Sequence, residues 1–395
     1  MTSLWESFCA TAPDRDVAGY FERAPSRTER TGEAVAFDRP NRVITLTSRT
    51  DPAALARESS RALRENSTVL GYVGFDSVGL FEPALARFPA GSPFPLGELA
   101  IVRSARHART PPPPRRRPQG HRPEGPVRDS LPRARFSRAV RNLVRAVRAG
   151  EAFQVVLAHR REFPRPDDLL HRAAVLHDSE RFAFFYYLKF HDREIVGATP
   201  ESVVEVRGSR AYINPIAGTL PTGPARAGRL PLARDPKELA EHRMLVDLAR
   251  NDLGSVSVPG SVRLLWEERR ERYARLEHLI SRVGGRLRPS VGPWGALAAA
   301  FPAGTVSGAP KIRATELLRR EEDTWRGPYA GTVALLRPGG RAEFALAIRT
   351  GFAAGHRLYT AAGAGIVHRS QPQREFDETL TKLSHVEATL AGGSA

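Results

Sequence analysis

The chain has 395 residues, of which 60 are basic and 43 acidic, and its formal net charge is +17. A chain of this length can bury a large core and hold two or three domains, or one large domain with a smaller appendage. Its single cysteine, Cys9, excludes an internal disulfide framework and a metal site built of cysteines. The sequence has neither an apolar run of membrane-spanning length nor a signal segment at its start, so we expect a cytoplasmic protein that contacts no membrane.

The basic residues are almost all arginine, since four are lysines and the other 56 are arginines. This skew is typical of a GC-rich codon bias. The positive charge favours anionic partners, but it is equally typical of a solvated surface.

Residues 110–135 read TPPPPRRRPQGHRPEGPVRDSLPRAR, with many prolines and almost no apolar content. Such a composition predicts an extended linker. We therefore divide the chain into an N-terminal subdomain (1–106), the linker (107–134) and a larger domain (135–391). Clustered arginines also neutralise phosphates, so a basic nucleic-acid-binding protein without enzymatic activity is an alternative. No aromatic residue is interleaved for base stacking, which weakens that alternative.

Past the linker, apolar residues at helical spacing predict a helix that ends at Gly150, and a strand follows at 153–157. The runs FAFFYYLKF, EIVGATPESVVEVRG and SRAYINPI predict further strands. The segment DPKELAEHRMLVDLARNDLG predicts a helix that Asp235 caps and Gly254 ends.

A second helix and the loop FPAGTVSGAP come next, before the strands YAGTVALL, AEFALAIRT and LYTAAGAGIV. A last helix is predicted at about 372–390. Strands in runs, with helices set aside, predict an α+β fold with antiparallel sheets.

The segment INPIAGTLPTG opens as a strand and is predicted to turn through Ala217, Gly218 and Thr219. Glycine lets the backbone approach a ligand closely, and threonine offers a hydroxyl and an N–H. Such segments are usually plain turns, so a binding segment and a turn are both open.

Two predicted helices carry carboxylates at helical spacing: Glu238 and Glu241 on the first, Glu375 and Glu378 on the second, with Lys382 four residues further. The first pair shares its face with two leucines, so we expect it to point inward. Oxygen ligands without cysteine or clustered histidine favour Mg²⁺ over zinc. Ion pairs on a helix surface are the alternative.

Two glycine-rich segments do not fit nucleotide-binding motifs. In GTVSGAPK the glycine spacing is wrong for a phosphate P-loop, and no serine or threonine follows Lys311. GAGIVH has only two of the glycines of the dinucleotide fingerprint and ends a strand without opening a helix.

The combination of motifs is specific. These segments occur in order: FQVVLAHR, GATPE, PIAGT, AEHRMLVDLARNDLG, HLISRVGGRL, FPAGTVSGAPKIRATELL, RGPYAGTV, AIRT, AAGAGIV and EFDETLTK. Together they resemble the chorismate-binding enzymes, most closely the synthase component of anthranilate synthases. The resemblance covers about 135–390 and, more weakly, VLGYVGFDSVGLFEP. It implies a large antiparallel β-sandwich surrounded by helices.

The resemblance also implies roles for individual residues. Glu241 and Glu378 match the Mg²⁺ ligands of the family, with Glu238 and Glu375 beside them, and the metal would hold the ring carboxylate of chorismate. Glu201 matches the general acid that helps the C4 hydroxyl to leave. Further matches are Tyr329 and Arg349 for the enolpyruvyl carboxylate, Gly218, Thr219, Thr305, Gly363, Ala364 and Gly365 for the ring, and the active-site positions His278 and Lys382.

Two positions distinguish the reactions of the family. Relatives that add water carry a lysine base where this chain has Gln154, and a neutral amide cannot take a proton from water. Relatives that make 4-amino-4-deoxychorismate carry a covalent lysine in place of Ala217. Both positions therefore predict that ammonia adds at C2 to give 2-amino-2-deoxyisochorismate, and pyruvate elimination would then give anthranilate. Release of the amino intermediate without elimination is the alternative.

The ammonia source is not found in this chain, since Cys9 lies in SFCATA rather than in the glycine-rich elbow of a glutaminase. The resemblance therefore implies a separate glutamine amidotransferase subunit, and the oligomeric state, homo- or hetero-oligomeric, is left open.

Control by tryptophan is not expected. Relatives that serve tryptophan supply usually carry the inhibitor motifs LLES and NPSPYM, and this chain has no LLES. Residues 179–183, SERFA, stand where the second motif would, and Arg181 places a positive charge near the position of the ligand's ammonium. We expect a tryptophan-insensitive enzyme of a secondary-metabolic pathway.

Overall fold

The computed structural model describes residues 3–25, 31–86, 89–110, 127–179, 182–221, 232–273, 276–322 and 324–392. The strands along the chain are β1 (Val17–Arg23), β2 (Gly32–Phe37), β3 (Arg42–Leu46), β4 (Thr68–Val73), β5 (Gly97–Val102), β6 (Arg106–Thr110), β7 (Arg128–Asp129), β8 (Gln154–Pro164), β9 (Phe184–Phe190), β10 (Arg193–Thr199), β11 (Ser202–Arg207), β12 (Arg210–Ile213), β13 (Ile216–Pro221), β14 (Arg263–Tyr273), β15 (Leu276–Arg286), β16 (Gly308–Ala309), β17 (Thr332–Arg337), β18 (Arg341–Leu346), β19 (Thr350–Ala354) and β20 (Arg357–Ile366). The α-helices are α1 (Leu4–Thr11), α2 (Pro52–Arg64), α3 (Val78–Phe81), α4 (Arg133–Arg148), α5 (Leu169–Ser179), α6 (Pro236–Gly254), α7 (Pro293–Ala300), α8 (Gly304–Ser307), α9 (Lys311–Glu322) and α10 (Pro372–Leu390).

The strands form two antiparallel sheets of ten strands each. The first has the order β16-β8-β20-β19-β10-β9-β1-β2-β6, and β7 also pairs with β8. The second has the order β13-β15-β12-β11-β18-β17-β4-β5-β3, and β14 also pairs with β15. One large core contains side chains of both sheets, which confirms the predicted α+β fold with a large antiparallel β-sandwich.

Strand β9 shows why its sequence is apolar throughout. Alternate residues of a strand point to opposite faces. Phe184 and Tyr186 join the core between the sheets, together with Phe344 of β18. Phe185 and Tyr187 join a second cluster, formed with residues of α1, α5 and α10. Because sheet and helices bury both faces, the strand has no polar alternation.

The N-terminal residues contribute to both sheets. Strand β1 pairs with β9, and β4 pairs with β17. Residues 1–106, predicted as a subdomain, therefore share their core with the predicted catalytic domain. The predicted linker 107–134 also contains strand residues, those of β6 and β7, and α4 begins at Arg133. Its central part, 111–126, lies outside the described residues.

The two helices that were predicted to carry carboxylates have the predicted bounds. Helix α6 spans Pro236–Gly254, and the Asp235 carboxylate accepts from the backbone N–H of Glu238 at 3.4 Å. Helix α10 spans Pro372–Leu390 with proline in its first turn. Strand β8, predicted at 153–157, extends to Pro164 because it pairs along its length with β20.

Strands β6 and β7, which flank the linker, lie at opposite edges of the first sheet. Laid flat, the eight strand spacings of about 4.8 Å between Thr110 and Arg128 span about 38 Å, which is an upper limit for a twisted sheet. Eighteen extended residue steps reach about 60 Å, but without seven residues the reach falls to about 36–40 Å.

We therefore predict that the length of the linker matters and its arginines do not. Replacing Pro111 to Arg117 by glycine and serine at constant length should leave the thermal midpoint and turnover unchanged. Deleting the same seven residues should lower the midpoint, because the strands it joins would be pulled from their register. Calorimetry of both variants checks this. Salt-sensitive binding of DNA or RNA that disappears in the replacement variant would instead support the nucleic-acid alternative.

Candidate active site

Strand β13 carries the segment that was predicted to turn, and the structure differs from that prediction. The strand continues to Pro221 and pairs with β15, but the pairing shifts between Ala217 and Leu220. Gly218 and Thr219 therefore lie together opposite His278, which is buried. Two residues against one make a β-bulge, a feature that often occurs beside active sites. The bulge brings these three predicted site residues together.

Glu201 directly precedes β11 and is buried. The hydroxyl of Thr305, in α8, donates to its carboxylate at 2.7 Å. Burial raises the pKa of Glu201 to about 7, although the Thr305 hydrogen bond and the positive charge of Arg349 act in the opposite direction. A carboxyl group that is half protonated near neutral pH suits general acid catalysis.

Arg349 lies between β18 and β19 in a left-handed backbone conformation, with φ 51°. Such a φ is strained for a residue with a side chain, and strain of this kind is concentrated at functional sites. Burial lowers the pKa of its guanidinium to about 10, against the opposing field of Glu201, so the group stays charged at neutral pH. Among the described residues no carboxylate forms an ion pair with it, which leaves its donors available for an anionic ligand.

Tyr329 is buried beside Gly363 of β20. The backbone of Gly363 forms a hydrogen bond with its phenolic oxygen, and burial raises the pKa of the phenol to about 12. Tyr329 is therefore neutral at physiological pH and can donate to a ligand. Gly363 needs to be glycine here, since a Cβ would lie 2.9 Å from a methyl group of Val156.

Gln154 opens strand β8 and is buried. Its amide nitrogen donates to Glu241 of α6 at 3.0 Å. The same nitrogen would lie 2.3 Å from a Cβ placed on Gly365, so only glycine allows the amide this position. The amide is fixed between a carboxylate of α6 and the backbone of β20.

Lys382 links α10 to the same strand. Its ammonium donates to the carbonyl of Gly363 at 2.9 Å and pairs with Glu378 at 2.7 Å. Gly363 and Gly365 are two residues apart and so lie on one face of β20, whereas Ala364 is buried in the main core. Glu241 is therefore linked to this strand through Gln154, and Glu378 is linked to it through Lys382.

One face of α6 carries Glu238 and Glu241 and, further along the helix, two leucines that lie near Glu201. Leu245 and Leu248 line a cavity together with Glu201 and Thr305. Glu238 and Glu241 precede these leucines by two helical turns, about 10.5 Å along the axis. The inward direction predicted for this face is therefore observed at the leucines.

The described side chains would not complete the coordination of a metal ion by themselves. Within the described ranges, no three His, Cys, Asp or Glu side chains are grouped so that they could hold an ion. Glu238 and Glu375 are half-buried, and they precede Glu241 and Glu378 by three residues. The donors are all carboxylate oxygens, and Mg²⁺ is commonly held by one or two carboxylates with the remaining oxygens from substrate and water. The donor chemistry fits that ion.

Comparison with known proteins gives the family. The sequence signature of the chorismate binding enzymes matches residues 18–388. The chain belongs to this family.

The chain is similar to several named members. It is 37% identical to the anthranilate synthase component 1 of Aeropyrum pernix over 355 residues, which is 85% of this chain and 81% of the relative. It is 42% identical to that of Streptomyces coelicolor over 261 residues, 64% of this chain and 50% of the relative. The chain thus matches most of the first relative and about half of the second.

Solved structures agree. The anthranilate synthase component I of Streptococcus pneumoniae is 28% identical and superposes with a TM-score of 0.77, over 91% of this chain and 93% of that one. The menaquinone-specific isochorismate synthase of Escherichia coli, at 18% identity and a TM-score of 0.76, covers 97% of this chain and shares the fold. No helix among the described residues is long and apolar enough to cross a membrane.

Sequence reasoning missed two buried ion pairs of this chorismate-binding enzyme. Lys311 contacts Asp252 at 2.6 Å and the carbonyl of Ala300 at 2.8 Å, which agrees with its exclusion as a phosphate-binding lysine. Arg326 pairs with Glu322 at 2.5 Å. Two signals in the sequence pointed to these pairs. Lys311 is one of four lysines in an arginine-rich chain, and Arg326 lies in the motif RGPYAGTV.

We predict that Glu201 titrates near pH 7 in the folded protein. Below that pH it is neutral and can donate a proton, and above it the carboxylate forms. Thr305→Val should move the titration to higher pH, because the lost hydrogen bond stabilises the carboxylate, whereas Thr305→Ser should not. Asp252, which lines the same cavity, is paired with Lys311.

Carbon-13 NMR of protein labelled at the glutamate carboxyl carbon measures this titration, and Glu201→Gln identifies the signal. A Glu201 signal that titrates near pH 4 would contradict the prediction.

Proposed function

We propose that this enzyme aminates chorismate at C2 with ammonia to 2-amino-2-deoxyisochorismate and then eliminates pyruvate to give anthranilate. The observation that carries the proposal is the neutral Gln154 amide, fixed by Glu241 and by the backbone of Gly365. An amide in this place cannot remove a proton from water, whereas ammonia already carries a free electron pair. The names of the relatives support the same reaction.

The proposed role of each side chain follows from its charge and its hydrogen bonds. Arg349, charged and without an ion-pair partner among the described residues, would bind a carboxylate of chorismate, and Tyr329 would donate to the same group. Ammonia would form a bond to C2 while the C4–O bond breaks. Glu201, held by Thr305, would protonate the departing hydroxyl so that it leaves as water. At position 217 alanine offers no amine for a covalent intermediate.

Mg²⁺ is part of the proposal. Glu241 and Glu378 would be its protein ligands, with Glu238 and Glu375 beside them, and Lys382 would have to release Glu378. The ion would supply positive charge for the ring carboxylate of chorismate. Protein residues would bind the enolpyruvyl carboxylate and transfer the proton.

The ammonia donor is proposed to be a separate glutamine amidotransferase subunit. Cys9 lies in α1 and is half-buried, and burial raises the pKa of its thiol to about 12, which does not suit a nucleophile. The cytoplasmic location and the secondary-metabolic pathway stay predictions.

The test is to incubate the enzyme with chorismate, Mg²⁺ and ammonium at mildly alkaline pH and to identify the product by mass. We expect anthranilate, which is also fluorescent. The amino intermediate alone would support the synthase without elimination. Isochorismate would mean that water is the nucleophile, and no turnover would favour the non-enzymatic alternative.

The same assay tests the metal. Excess EDTA should abolish turnover, and Glu241→Gln, which keeps shape but removes charge, should reduce it strongly. Full activity in EDTA would exclude the Mg²⁺ assignment.

Insensitivity to tryptophan has a structural argument as well. Arg181, on which the sequence argument depended, lies outside the described residues. Beside that segment, however, the indole of Trp5 stacks on His177 with ring centroids 5.3 Å apart and meets Phe185 edge-on at 5.2 Å. The chain's own indole therefore occupies the aromatic surroundings at the start of β9.

We predict that tryptophan at micromolar concentration leaves the ammonia-dependent rate unchanged. The measurement is a titration of tryptophan into the product assay, with Trp5→Ala as a comparison in which the aromatic surroundings are vacant. Inhibition of the unmodified enzyme at micromolar tryptophan would show that the prediction is wrong.

A further inference from the structure

Arg326 is a buried arginine between α9 and β17, and its side chain joins several elements. Its guanidinium donates to Glu322 at 2.9 and 2.5 Å, to the carbonyl of Val306 at 2.7 Å and to the carbonyl of Val156 at 2.7 Å. It also lies over the ring of Phe75, 4.4 Å from the centroid. A planar group with several fixed donors suits this set of acceptors better than an ammonium.

The two carbonyls belong to segments of the active site. Val306 follows Thr305, the residue that donates to Glu201. Val156 lies two residues after Gln154 on β8. A displacement of either carbonyl would therefore move a side chain of the proposed reaction.

One edge of β8 lacks a described neighbouring strand along its middle part, so side chains have to bind the backbone there. On this edge β16 pairs with Gln154 and Val155, and β7 pairs with Arg161 and Glu162. Between them, no described strand pairs with the edge. Arg326 binds the carbonyl of Val156, and the carboxylate of Glu322 accepts from the backbone N–H of Ala158 at 2.9 Å. The ion pair thus takes the place of a strand, since buried backbone groups require partners.

The N-terminal region holds the same arginine from the other side. The carboxylate of Asp76 accepts from the backbone N–H groups of Arg326 and Gly327, at 3.1 and 2.7 Å. The backbone N–H of Phe75 donates to the carbonyl of Gly327 at 2.8 Å. Residues that follow β4 therefore fix the turn that carries Arg326.

We propose that Arg326 is a positioning residue for the amination reaction, which with Glu322 holds Gln154 and Thr305 in register and makes their position depend on the N-terminal region. This inference rests on the proposed function for its catalytic part. Its geometric part, the placement of Thr305 against Glu201, is independent of the reaction.

The test compares Arg326→Lys with Arg319→Lys. Arg319 lies on α9 and binds a backbone carbonyl of the N-terminal region, that of Leu85 at 2.7 Å, but the described contacts do not link it to β8 or α8. Both variants exchange a guanidinium that contacts the N-terminal region, at the ring of Phe75 for Arg326 and at the carbonyl of Leu85 for Arg319. Only the first loses contacts to the site.

For Arg326→Lys we expect kcat to fall by about 10- to 100-fold, as for small misplacements of catalytic groups, with KM for chorismate changed much less. The NMR titration of Glu201 should move to higher pH, because the Thr305 hydrogen bond is weakened. Arg319→Lys should show neither change. Glu322→Gln, which keeps an acceptor for Ala158, should give the same pattern more weakly and serves if the lysine variant does not fold.

An unshifted Glu201 titration in folded Arg326→Lys or Glu322→Gln would overturn the proposal, whatever the loss of rate. An equal loss of kcat in Arg319→Lys would overturn it too. If the unmodified enzyme does not aminate chorismate, the proposed function fails, and the titration still decides whether Arg326 positions Thr305.

Discussion

The open edge of strand β8 is the constraint on which the site depends. A strand paired on both sides along its full length would leave no room for the α8 segment that carries Thr305. The fold instead uses two very short strands, β16 and β7, and closes the remaining edge with the Arg326–Glu322 pair. A buried ion pair is a weak source of stability, because desolvation offsets its attraction. Its value here is geometric, since one planar group fixes carbonyls from two elements at once.

On the other side of β8, strand β20 carries two glycines that leave room for polar side chains. Gly365 admits the Gln154 amide, and Gly363 admits the phenol of Tyr329 while its carbonyl receives Lys382. A Cβ at Gly365 would take the space of the amide, and a Cβ at Gly363 would crowd the phenolic oxygen at 3.3 Å. The strand therefore contributes backbone to the site, and helices α6 and α10 contribute the charges.

Local signals explain how much could be predicted from the sequence. Helices α6 and α10 have their predicted bounds because proline, capping residues and apolar spacing lie within the helices themselves. The family motifs predicted the sandwich, which is confirmed, and the roles that they imply for individual residues stay predictions. The bulge at Gly218 and Thr219 was not predicted, because register depends on β15, some sixty residues further along the chain.

Pairing across long separations has no local signal either. Nothing in the sequence of β1 indicates that it pairs with β9. The division of the chain at the linker, with residues 1–106 as an N-terminal subdomain, stays a prediction. The contacts of Arg326 show the same limit: Asp76 precedes it by 250 residues and Val156 by 170. Each partner is ordinary in its own segment, and the function of the group exists only in the folded chain.

Electrostatics connects substrate binding to proton transfer. Glu201 is buried beside Arg349, and burial outweighs the attraction of that charge, so its pKa is raised to about 7. A carboxylate bound by Arg349 would neutralise the guanidinium and bring negative charge towards Glu201. Both changes disfavour a second carboxylate and raise the pKa further. The anionic substrate would thus favour the protonated form of the acid that its own hydroxyl requires, and a larger fraction of Glu201 would be ready to donate when a substrate is bound.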